Sequence, residues 1–340
     1  MSPTIKDVAR KAGVAQSTVS LVINEGKHIS QATRQKVLKA IRELNYHPRR
    51  SARVLATRKT GNIGFILADK YFYQAEPFYT RIFLGTEFEA RKHNYYVLLT
   101  TVHEEFNPKK SIPRYLMEKN VDGVILTGKV SDALILYIKN SGIPVVLIDY
   151  FPKEGKFPSV LIDNLQGAYE AVVHLIRLGH RRIGFIGGTI DHPSISDRFK
   201  GYGQALEEFG LPKNSSLVAK DLPDSSAEDG YRAARKLLKL STPPTALFAT
   251  NDSMAMGSIR AAREAQLKVP DDLAVVGFDD IEVATHTHPP LTTMRVPKEE
   301  MGTLAVRKIV ELIDSGDKFN EKTLIATELI VRGSCGATKV

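Results

Sequence analysis

Cysteine is almost absent from this chain of 340 residues, which contains only Cys335. A single cysteine cannot form a disulfide within the chain. No histidine lies near Cys335 in the sequence, and a nucleophilic thiol or a metal ligand would need such a partner. We therefore expect Cys335 to be a structural residue.

Long apolar runs are also missing. No segment approaches the roughly 18 apolar residues that a membrane span requires. The N-terminal sequence MSPTIKDVARK lacks the apolar stretch of a secretory signal peptide. We expect a cytoplasmic protein.

The common enzyme motifs are absent as well. The sequence has no P-loop, no nucleophile elbow and no dinucleotide-binding glycine fingerprint. Two carboxylate pairs, Asp279 with Asp280 and Asp149 with Asp163, could serve acid/base or metal chemistry. No histidine or cysteine with ligand spacing accompanies them. An enzyme is therefore disfavoured, and we expect no cofactor and no metal.

Positive charge is concentrated at the N-terminus. Residues 1–60 contain 13 Lys and Arg against 3 Asp and Glu, whereas the rest of the chain contains 34 against 35. Such a local excess is typical of a surface that neutralises phosphates. The alternative is a solvated basic face, but here the charge coincides with a structural motif.

The motif is a helix-turn-helix within a predicted domain of residues 1–48. Thr4 and Asp7 form a reciprocal cap for a first helix that Gly13 ends, and Ser30 caps a third helix over 31–44. Between them, a second helix has apolar positions on one face only. The predicted small core includes Val8, Val19, Val22, Ile23, Val37, Leu38, Ile41 and Leu44. The polar face of the second helix, which would enter a major groove, presents Gln16, Ser17, Ser20, Leu21 and Asn24.

Residues 49–60 follow as a linker. Pro48 precedes a possible short helix over 50–58, with Ala52, Leu55 and Ala56 on one side. Such a helix is too short to be stable without a partner. The alternative is a flexible basic linker, which would not need this aliphatic stripe.

From residue 61 onward, strand-like apolar runs alternate with amphipathic helical segments. This alternation predicts parallel sheets with crossover helices, and the length favours two doubly wound α/β lobes that face each other across a cleft. The runs are NIGFIL, YYVLLT, GVILT, PVVLID, RIGFIG, TALFAT and LAVVGFDD.

Polar residues follow several of these strands, at the edge where open α/β sheets bind ligands. Together, a carboxylate, an amide and a guanidinium could bind a polyhydroxyl ligand. Taken singly, Asn251 and Asp280 are equally well explained as helix caps, and Arg198 as a surface ion pair. The residues are Asp149, Arg198, Asn251, Asp252, Asp279 and Asp280.

The chain resembles the lactose-repressor/galactose-repressor (LacI-type) family over nearly its whole length. The resemblance lies in TIKDVARKAGVAQSTVSLVIN, ELNYHPRRSARVLA, LIRLGHRRIGFIGG, SDRFKGYGQAL, FATNDSMAMG, VVGFDD and HPPLTTMRVPKEEMG. It implies an all-α helix-turn-helix headpiece with a hinge helix, followed by a two-lobed effector domain like that of periplasmic sugar-binding proteins. The implied function is a transcriptional regulator, expected to be a repressor, whose operator affinity a small molecule controls.

For DNA, the resemblance implies that Gln16 and Ser17 contact base edges with Leu21 beside them. It also implies that Leu55 of a paired hinge helix wedges into the minor groove. Ala15 and Leu21 depart from the hydroxyl residue and the arginine that are frequent at these positions, so the operator sequence is not implied. The remaining expected DNA contacts are Thr4, Thr18, Asn24, Tyr46, Ser51 and Ala52.

For the effector, the resemblance implies Arg198, Asn251 and Asp279 from the second lobe and Asp149 from the first. Phe78 and Tyr79 would form an aromatic wall, although both could equally be ordinary core. Leu222 and Val296 stand where the lactose repressor and some relatives have other residues, so its ligand is not assumed. A sugar or sugar derivative is expected, with a purine or nucleoside as the alternative. A sugar-binding protein without a regulatory role is also conceivable, but it would need an export signal and would not need a DNA-binding module.

The resemblance also implies the assembly and the lobe boundaries. A homodimer on a pseudo-palindromic operator is expected, because no leucine heptads follow Val331 to form a tetramer. The effector domain would span 61–340. Lobe one is expected at 61–161 with 292–322, and lobe two at 162–291 with 323–340.

Overall fold

The computed structural model describes residues 3–23, 29–46, 59–73, 78–103, 105–107, 111–152, 156–316 and 320–337. They belong to two compact units. One is Met1–Asn62 with Lys119–Asp122, and the other is Ile63–Glu118 with Gly123–Val340. The predicted hinge helix with Ser51, Ala52 and Leu55, and also Asn24, lie outside the described residues.

The N-terminal unit contains α1 (Ile5–Ala12), α2 (Gln16–Ile23) and α3 (Gln31–Glu43). The predicted caps are confirmed. The backbone N–H and the hydroxyl of Thr4 donate to Asp7 Oδ2 at 2.9 and 2.6 Å, and Ser30 Oγ accepts the N–H of Thr33 at 3.2 Å. Gly13 ends α1 with φ 67°, in the left-handed region that favours glycine.

The small core of this unit is built as predicted with one exception. Val8, Val19 and Val37 are fully buried, but Leu38 is 38% exposed. The prediction for Leu38 is wrong because the inward face of α3 follows the helical period from Val37 to Ala40 and Ile41, and Leu38 lies about 100° away from Val37 around the axis.

The second unit contains two six-stranded sheets, which confirms the two-lobed α/β prediction. The first sheet has the order β11-β5-β4-β3-β1-β2 and the second β12-β10-β9-β8-β6-β7. The strands are β1 (Asn62–Ala68), β2 (Tyr96–Val102), β3 (Gly123–Thr127), β4 (Val145–Ile148), β5 (Ser159–Ile162), β6 (Ile183–Gly188), β7 (Val218–Leu222), β8 (Ala246–Ala249), β9 (Ala274–Asp279), β10 (Thr292–Arg295), β11 (Lys322–Ile325) and β12 (Glu328–Ile330).

Parallel pairing dominates both sheets. In the first sheet β1–β3, β3–β4, β4–β5 and β5–β11 are parallel, and in the second only β10–β12 is antiparallel among the described pairs. The helices are α4 (Asp69–Tyr73), α5 (Phe78–Lys92), α6 (Arg114–Met117), α7 (Asp132–Asn140), α8 (Asn164–Arg177), α9 (Pro193–Glu208), α10 (Ala227–Leu238), α11 (Asp252–Glu264) and α12 (Lys298–Ser315).

Two predicted lobe boundaries are wrong by a few residues. β10 pairs with β9 in the second sheet, so the chain crosses to the first lobe after residue 295 rather than at 292. β11 pairs with β5 in the first sheet, so the return comes after 325 rather than 322. The error arises because hydrophobic periodicity identifies a strand without identifying the sheet that it joins.

After β10 the chain passes from the second lobe to the first, and a buried lysine at the start of α12 binds this segment to the end of β9. Lys298 Nζ donates to the carbonyl oxygens of Asp279, Asp280 and Val296. Burial lowers the pKa of Lys298. These three acceptors join the start of α12 to the end of β9.

The helices of each lobe pack against each other through glycines. On α5 and α12, a Cβ added at Gly85 would collide with the carbonyl oxygen of Glu299, and one at Gly302 with that of Ile82. Backbones therefore approach more closely than side chains would allow. Gly201 serves the same purpose between α8 and α9, as do Gly230 and Gly257 between α10 and α11.

We predict that Gly302→Ala destabilises the protein by about 2 kcal/mol or more, because the added methyl group forces α12 away from α5. Urea unfolding followed by circular dichroism measures this change. Gly203→Ala in α9 is the matched control, since its nearest neighbour is Lys213 Cε at 3.8 Å. The control should be neutral or stabilise by about 0.5–1 kcal/mol through helix propensity. Equal effects of the two substitutions would contradict this packing argument.

Candidate functional site

The exposed face of α2 is the candidate DNA interface of the N-terminal unit. Gln16 and Ser17 are exposed at the start of the helix, and Leu21 is 49% exposed one turn later. On the opposite face Val19 and Val22 are buried. Gln16, Ser17 and Leu21 therefore share the solvent-exposed face of α2, which is the face of this helix that a partner can reach.

The other predicted DNA-contact residues of this unit differ in how far they are exposed to solvent. Thr4 is exposed and Thr18 is half-buried, so both are accessible to a phosphate. Tyr46 is only 6% exposed and packs with the core of the unit. The aromatic ring of Tyr46 is therefore a core element, a role that the sequence analysis did not assign to it.

The candidate ligand site of the second unit is a cavity of about 370 Å³ at the carboxyl ends of the strands. Both lobes line it, and all six predicted effector residues are among the lining residues. The lining is formed by Lys70, Tyr71, Phe78, Tyr79, Lys129, Asp149, Thr189, His192, Ser194, Ile195, Arg198, Pro223, Asp224, Ser225, Thr250, Asn251 and Asp279.

Arg198 is buried in the wall of this cavity and has several polar partners, so it does not form a surface ion pair. Its Nε donates to Asn164 Oδ1 at 2.7 Å, and Nη1 donates to the carbonyl oxygen of Thr250. Nη2 lies 3.4 Å from Asp279 Oδ1, and the guanidinium carbon lies 3.7 Å from the ring centroid of Phe278. A buried cation is tolerated only when its donors are satisfied in this way.

Asp149 connects the two lobes. Its Oδ2 accepts a hydrogen bond from the hydroxyl of Tyr79 at 3.0 Å, and its Oδ1 accepts one from Ser194 Oγ of α9 at 2.8 Å. Burial and the neighbouring carboxylate raise the pKa of Tyr79, so the phenol keeps the proton that it donates. A second connection between the lobes is the ion pair of Lys129 with Asp191.

Asn251 has the capping role that we considered as an alternative. Its Oδ1 accepts the N–H of Met254 at 2.8 Å at the start of α11, and its Nδ2 donates to the carbonyl oxygen of Ser225 at 2.8 Å. The same side chain lines the cavity. Capping and lining are therefore compatible, because the cap positions the amide at the strand end.

Asp280, by contrast, is not a helix cap. Its carboxylate pairs with Arg295 at 2.8 Å and with Arg332 at 2.5 Å. Burial alone would raise the pKa of Asp280, but the hydrogen bonds from both guanidinium groups lower it overall. Asp280 therefore serves as an ion-pair residue beside the site.

Asp252 is fully buried next to Asn251. It accepts hydrogen bonds from Thr293 Oγ1 at 2.5 Å and from the N–H of Ile281 at 2.9 Å. Burial nevertheless raises its pKa to about 7. The residue joins α11 to β10 and does not line the cavity.

The aromatic wall combines both of its predicted roles. Phe78 and Tyr79 line the cavity, while Phe78 is also 6% exposed and part of the core. Their ring centroids are 5.0 Å apart in an edge-to-face arrangement, and Tyr71 lies 4.7 Å from Tyr79. Tyr71 was not predicted, although it lies three residues after β1 and the strand-end rule could have found it.

Several other lining residues were missed although a signal existed. Thr189 follows β6, Thr250 follows β8, and Lys129 comes two residues after β3, so the strand-end rule could have found all three. His192 and Ser194 precede and begin α9 and have no such signal.

Cys335 has a histidine partner that the sequence did not reveal. His174 Nε2 lies 3.3 Å from Cys335 Sγ, and Thr292 Oγ1 donates to the same sulfur at 3.2 Å. The sequence could not reveal this contact because α8 and the C-terminal segment meet only in the fold. The thiol is 1% exposed.

Comparison with known proteins identifies the family. Residues 4–49 match the model of bacterial regulatory proteins of the lacI family, and residues 172–335 match that of a periplasmic binding protein-like domain. The chain is 36% identical to the HTH-type transcriptional repressor CytR of Escherichia coli K12 over 98% of this chain and 96% of that protein. The chain belongs to the lacI family.

Solved structures agree with this assignment. The lac repressor dimer bound to operator and the anti-inducer ONPF has a TM-score of 0.82 at 27% identity, covering 99% of this chain and 100% of that one. The complex of the transcriptional regulator CelR with cellobiose has a TM-score of 0.76 at 33% identity, covering 98% and 99%. This lacI-family protein is a DNA-binding transcriptional regulator and not an enzyme.

No helix in the described part of this lacI-family regulator is both long enough and apolar enough to cross a membrane.

We predict that Asn251→Ala lowers the free energy of unfolding of this regulator by about 1–2 kcal/mol, because α11 loses its cap. Asn251→Ser is the matched variant, since serine can cap α11 but cannot reach Ser225. It should retain most of the stability in thermal unfolding. If both variants were as stable as the wild type, the cap would contribute nothing.

Proposed function

We propose that this lacI-family regulator binds a pseudo-palindromic operator as a homodimer in the cytoplasm, and that an effector in the cleft controls the binding. The effector is proposed to be a sugar or a sugar derivative. The observation that carries this proposal is the cavity that both lobes line, across which Asp149 and Ser194 are hydrogen-bonded. A ligand there would contact both lobes and so favour one arrangement of them.

The chemistry of the cavity supports a polyhydroxyl ligand. Carboxylates at Asp149 and Asp279 accept hydrogen bonds, the amide of Asn251 and the guanidinium of Arg198 donate them, and Tyr79 offers an aromatic face. A volume of about 370 Å³ is within the range of small-molecule sites. The similarity to the CelR–cellobiose complex points the same way.

For DNA, we propose that Gln16 and Ser17 contact base edges, with Leu21 against them and Thr4 and Thr18 toward the phosphates. Asn24, Tyr46, Ser51, Ala52 and Leu55 complete the proposed set. The basic N-terminal segment would supply sequence-independent affinity, whereas α2 would supply the choice of site. Effector and operator are then linked, and each changes the affinity of the other by the same factor.

We predict that operator affinity falls steeply with salt, by roughly a thousandfold or more between 50 and 200 mM if six to ten phosphates are neutralised.

Gln16→Ala should weaken binding to the operator by about tenfold while leaving binding to random DNA unchanged, because it removes a base contact only. Fluorescence anisotropy with labelled duplexes measures both. Gln35→Ala, at an exposed position of α3, is the matched control. A flat salt titration would contradict the DNA interface.

We also predict a ligand-dependent rise in melting temperature with at least one of cellobiose, ribose, glucose 6-phosphate and adenosine. The rise corresponds to about 2.7 kcal/mol at a ligand concentration one hundred times Kd. Asp279→Asn should abolish it and leave operator binding intact. Asp280→Asn is the control, since the neighbouring carboxylate does not line the cavity. A response to adenosine alone would replace the sugar proposal with the nucleoside alternative.

A further inference from the structure

The backbone at the end of β9 has a conformation that is costly for residues other than glycine. Asp279, the last residue of the strand, has φ 114°, and Asp280 after it has φ 51°. A residue with a Cβ adopts such angles only where its surroundings impose them. The Asp279 side chain lines the cleft and lies 3.4 Å from Arg198. The strained dipeptide therefore carries a carboxylate of the candidate effector site.

Both carbonyl groups of this dipeptide are bonded to a side chain of the first lobe. Lys298, the first residue of α12, is 6% exposed and donates to the carbonyl oxygens of Asp279 and Asp280. A third bond, at 3.3 Å, goes to the carbonyl oxygen of Val296. These three acceptors match the three donors of an ammonium group. The bonds of Lys298 are thus used on backbone, and Lys298 is not among the described residues that line the cleft.

The first lobe fixes the start of α12, and with it Lys298. A Cβ added at Gly85 of α5 would collide with the carbonyl oxygen of Glu299, so the two backbones touch directly beside Lys298. From the same helix, Arg81 donates to Glu299 at 3.5 Å and to Glu282 of the second lobe at 3.0 Å. The first lobe therefore binds the segment after β9 at two points, one buried and one exposed to solvent.

The second lobe holds the same dipeptide by its side chains instead. The carboxylate of Asp280 pairs with Arg295 and Arg332, and that of Asp279 lies beside Arg198. The direction of the Asp279 carbonyl, however, is set by ψ of Asp279 and φ of Asp280. A donor on that oxygen restrains the strained angles directly, which a partner of a flexible carboxylate does not.

We propose that Lys298 is a positioning residue for the effector site: from the first lobe it holds the strained dipeptide, so that the Asp279 carboxylate faces Arg198 and the cleft. This inference rests on the proposed effector site. It implies that the position of the carboxylate depends on the arrangement of the lobes. A bound effector then favours the arrangement in which Lys298 reaches the dipeptide, although Lys298 does not touch the effector.

Replacement of Lys298 by methionine tests this role. K298M keeps an unbranched side chain but has no donor for the carbonyl oxygens. We expect it to bind any probe that the wild type binds about tenfold more weakly or worse. K308M is the matched control, because Lys308 is also a buried lysine of α12 but pairs with Glu321. K308M should melt at a lower temperature and keep its affinity within about twofold of the wild type.

Isothermal titration of the full chain with cellobiose, ribose, glucose 6-phosphate and adenosine measures these affinities, and thermal unfolding measures stability. An unchanged affinity of K298M would overturn the inference. Equal losses of affinity in K298M and K308M would overturn it as well, because Lys298 would then act only through the stability of α12.

Crystal structures give a second test. In the wild type bound to a probe, Nζ of Lys298 should stay on both carbonyl oxygens, and a bound form in which it has left them would overturn the inference even if K298M does not fold. In ligand-free K298M, the dipeptide should relax and Asp279 should move away from Arg198, whereas an unchanged dipeptide would overturn the inference. A wild type that binds none of the four probes would contradict the proposed function, and the ligand-free structure would still test the inference.

Discussion

The buried guanidinium of Arg198 is the interaction on which the ligand cleft depends. It reaches from α9 to Thr250 after β8, to Asp279 at the end of β9 and to Asn164 at the start of α8. Transfer of this charge from water costs several kcal/mol, and the cost is offset only because the surrounding oxygens converge on it. The polar strand ends of the second lobe thus depend on one another, and loss of one partner would leave the others buried and unsatisfied.

Several contacts between the two lobes are more exposed to solvent than the contacts of Arg198 within the second lobe. The contacts between the lobes include a hydrogen bond from Ser194 to Asp149 and two ion pairs, Lys129 with Asp191 and Arg81 with Glu282, whose side chains all retain solvent contact. The exposed ion pairs contribute little net free energy, whereas the hydrogen bond of Ser194 to the buried carboxylate of Asp149 contributes about 1.5–3 kcal/mol. A regulator needs such a balance, because a ligand of modest affinity must be able to shift the arrangement of the lobes.

Local patterns in the sequence predicted the local structure well. The caps at Thr4, Asp7 and Ser30 depend on residues three positions apart, so the sequence specifies them directly. β4, which Asp149 follows, and β9, which ends at Asp279, were recognisable as apolar runs that lead to a carboxylate. The shared edge of parallel strands then brought the predicted cleft residues together.

Features that depend on distant pairing were not predictable in this way. The partner sheet of β10, the contact of His174 with Cys335 and the two arginines on Asp280 each join segments far apart in sequence. Leu38 was misplaced because an apolar residue next to a helix stripe looks like part of it. Ser194 and His192 were missed because the sequence does not show which residues at the start of a helix face the other lobe.

The glycine contacts between helices have a consequence for motion. Helices that touch through Gly85 and Gly302, or through Gly230 and Gly257, interlock so closely that they cannot slide past one another. The chain crosses between the two sheets in three segments, near residues 163, 296 and 326, and a rotation of one lobe against the other would have to change the backbone dihedral angles there. Asn164 lies beside the first of these segments and accepts a hydrogen bond from Arg198, so the polar network of the cleft extends to a segment that any rearrangement of the lobes would have to move.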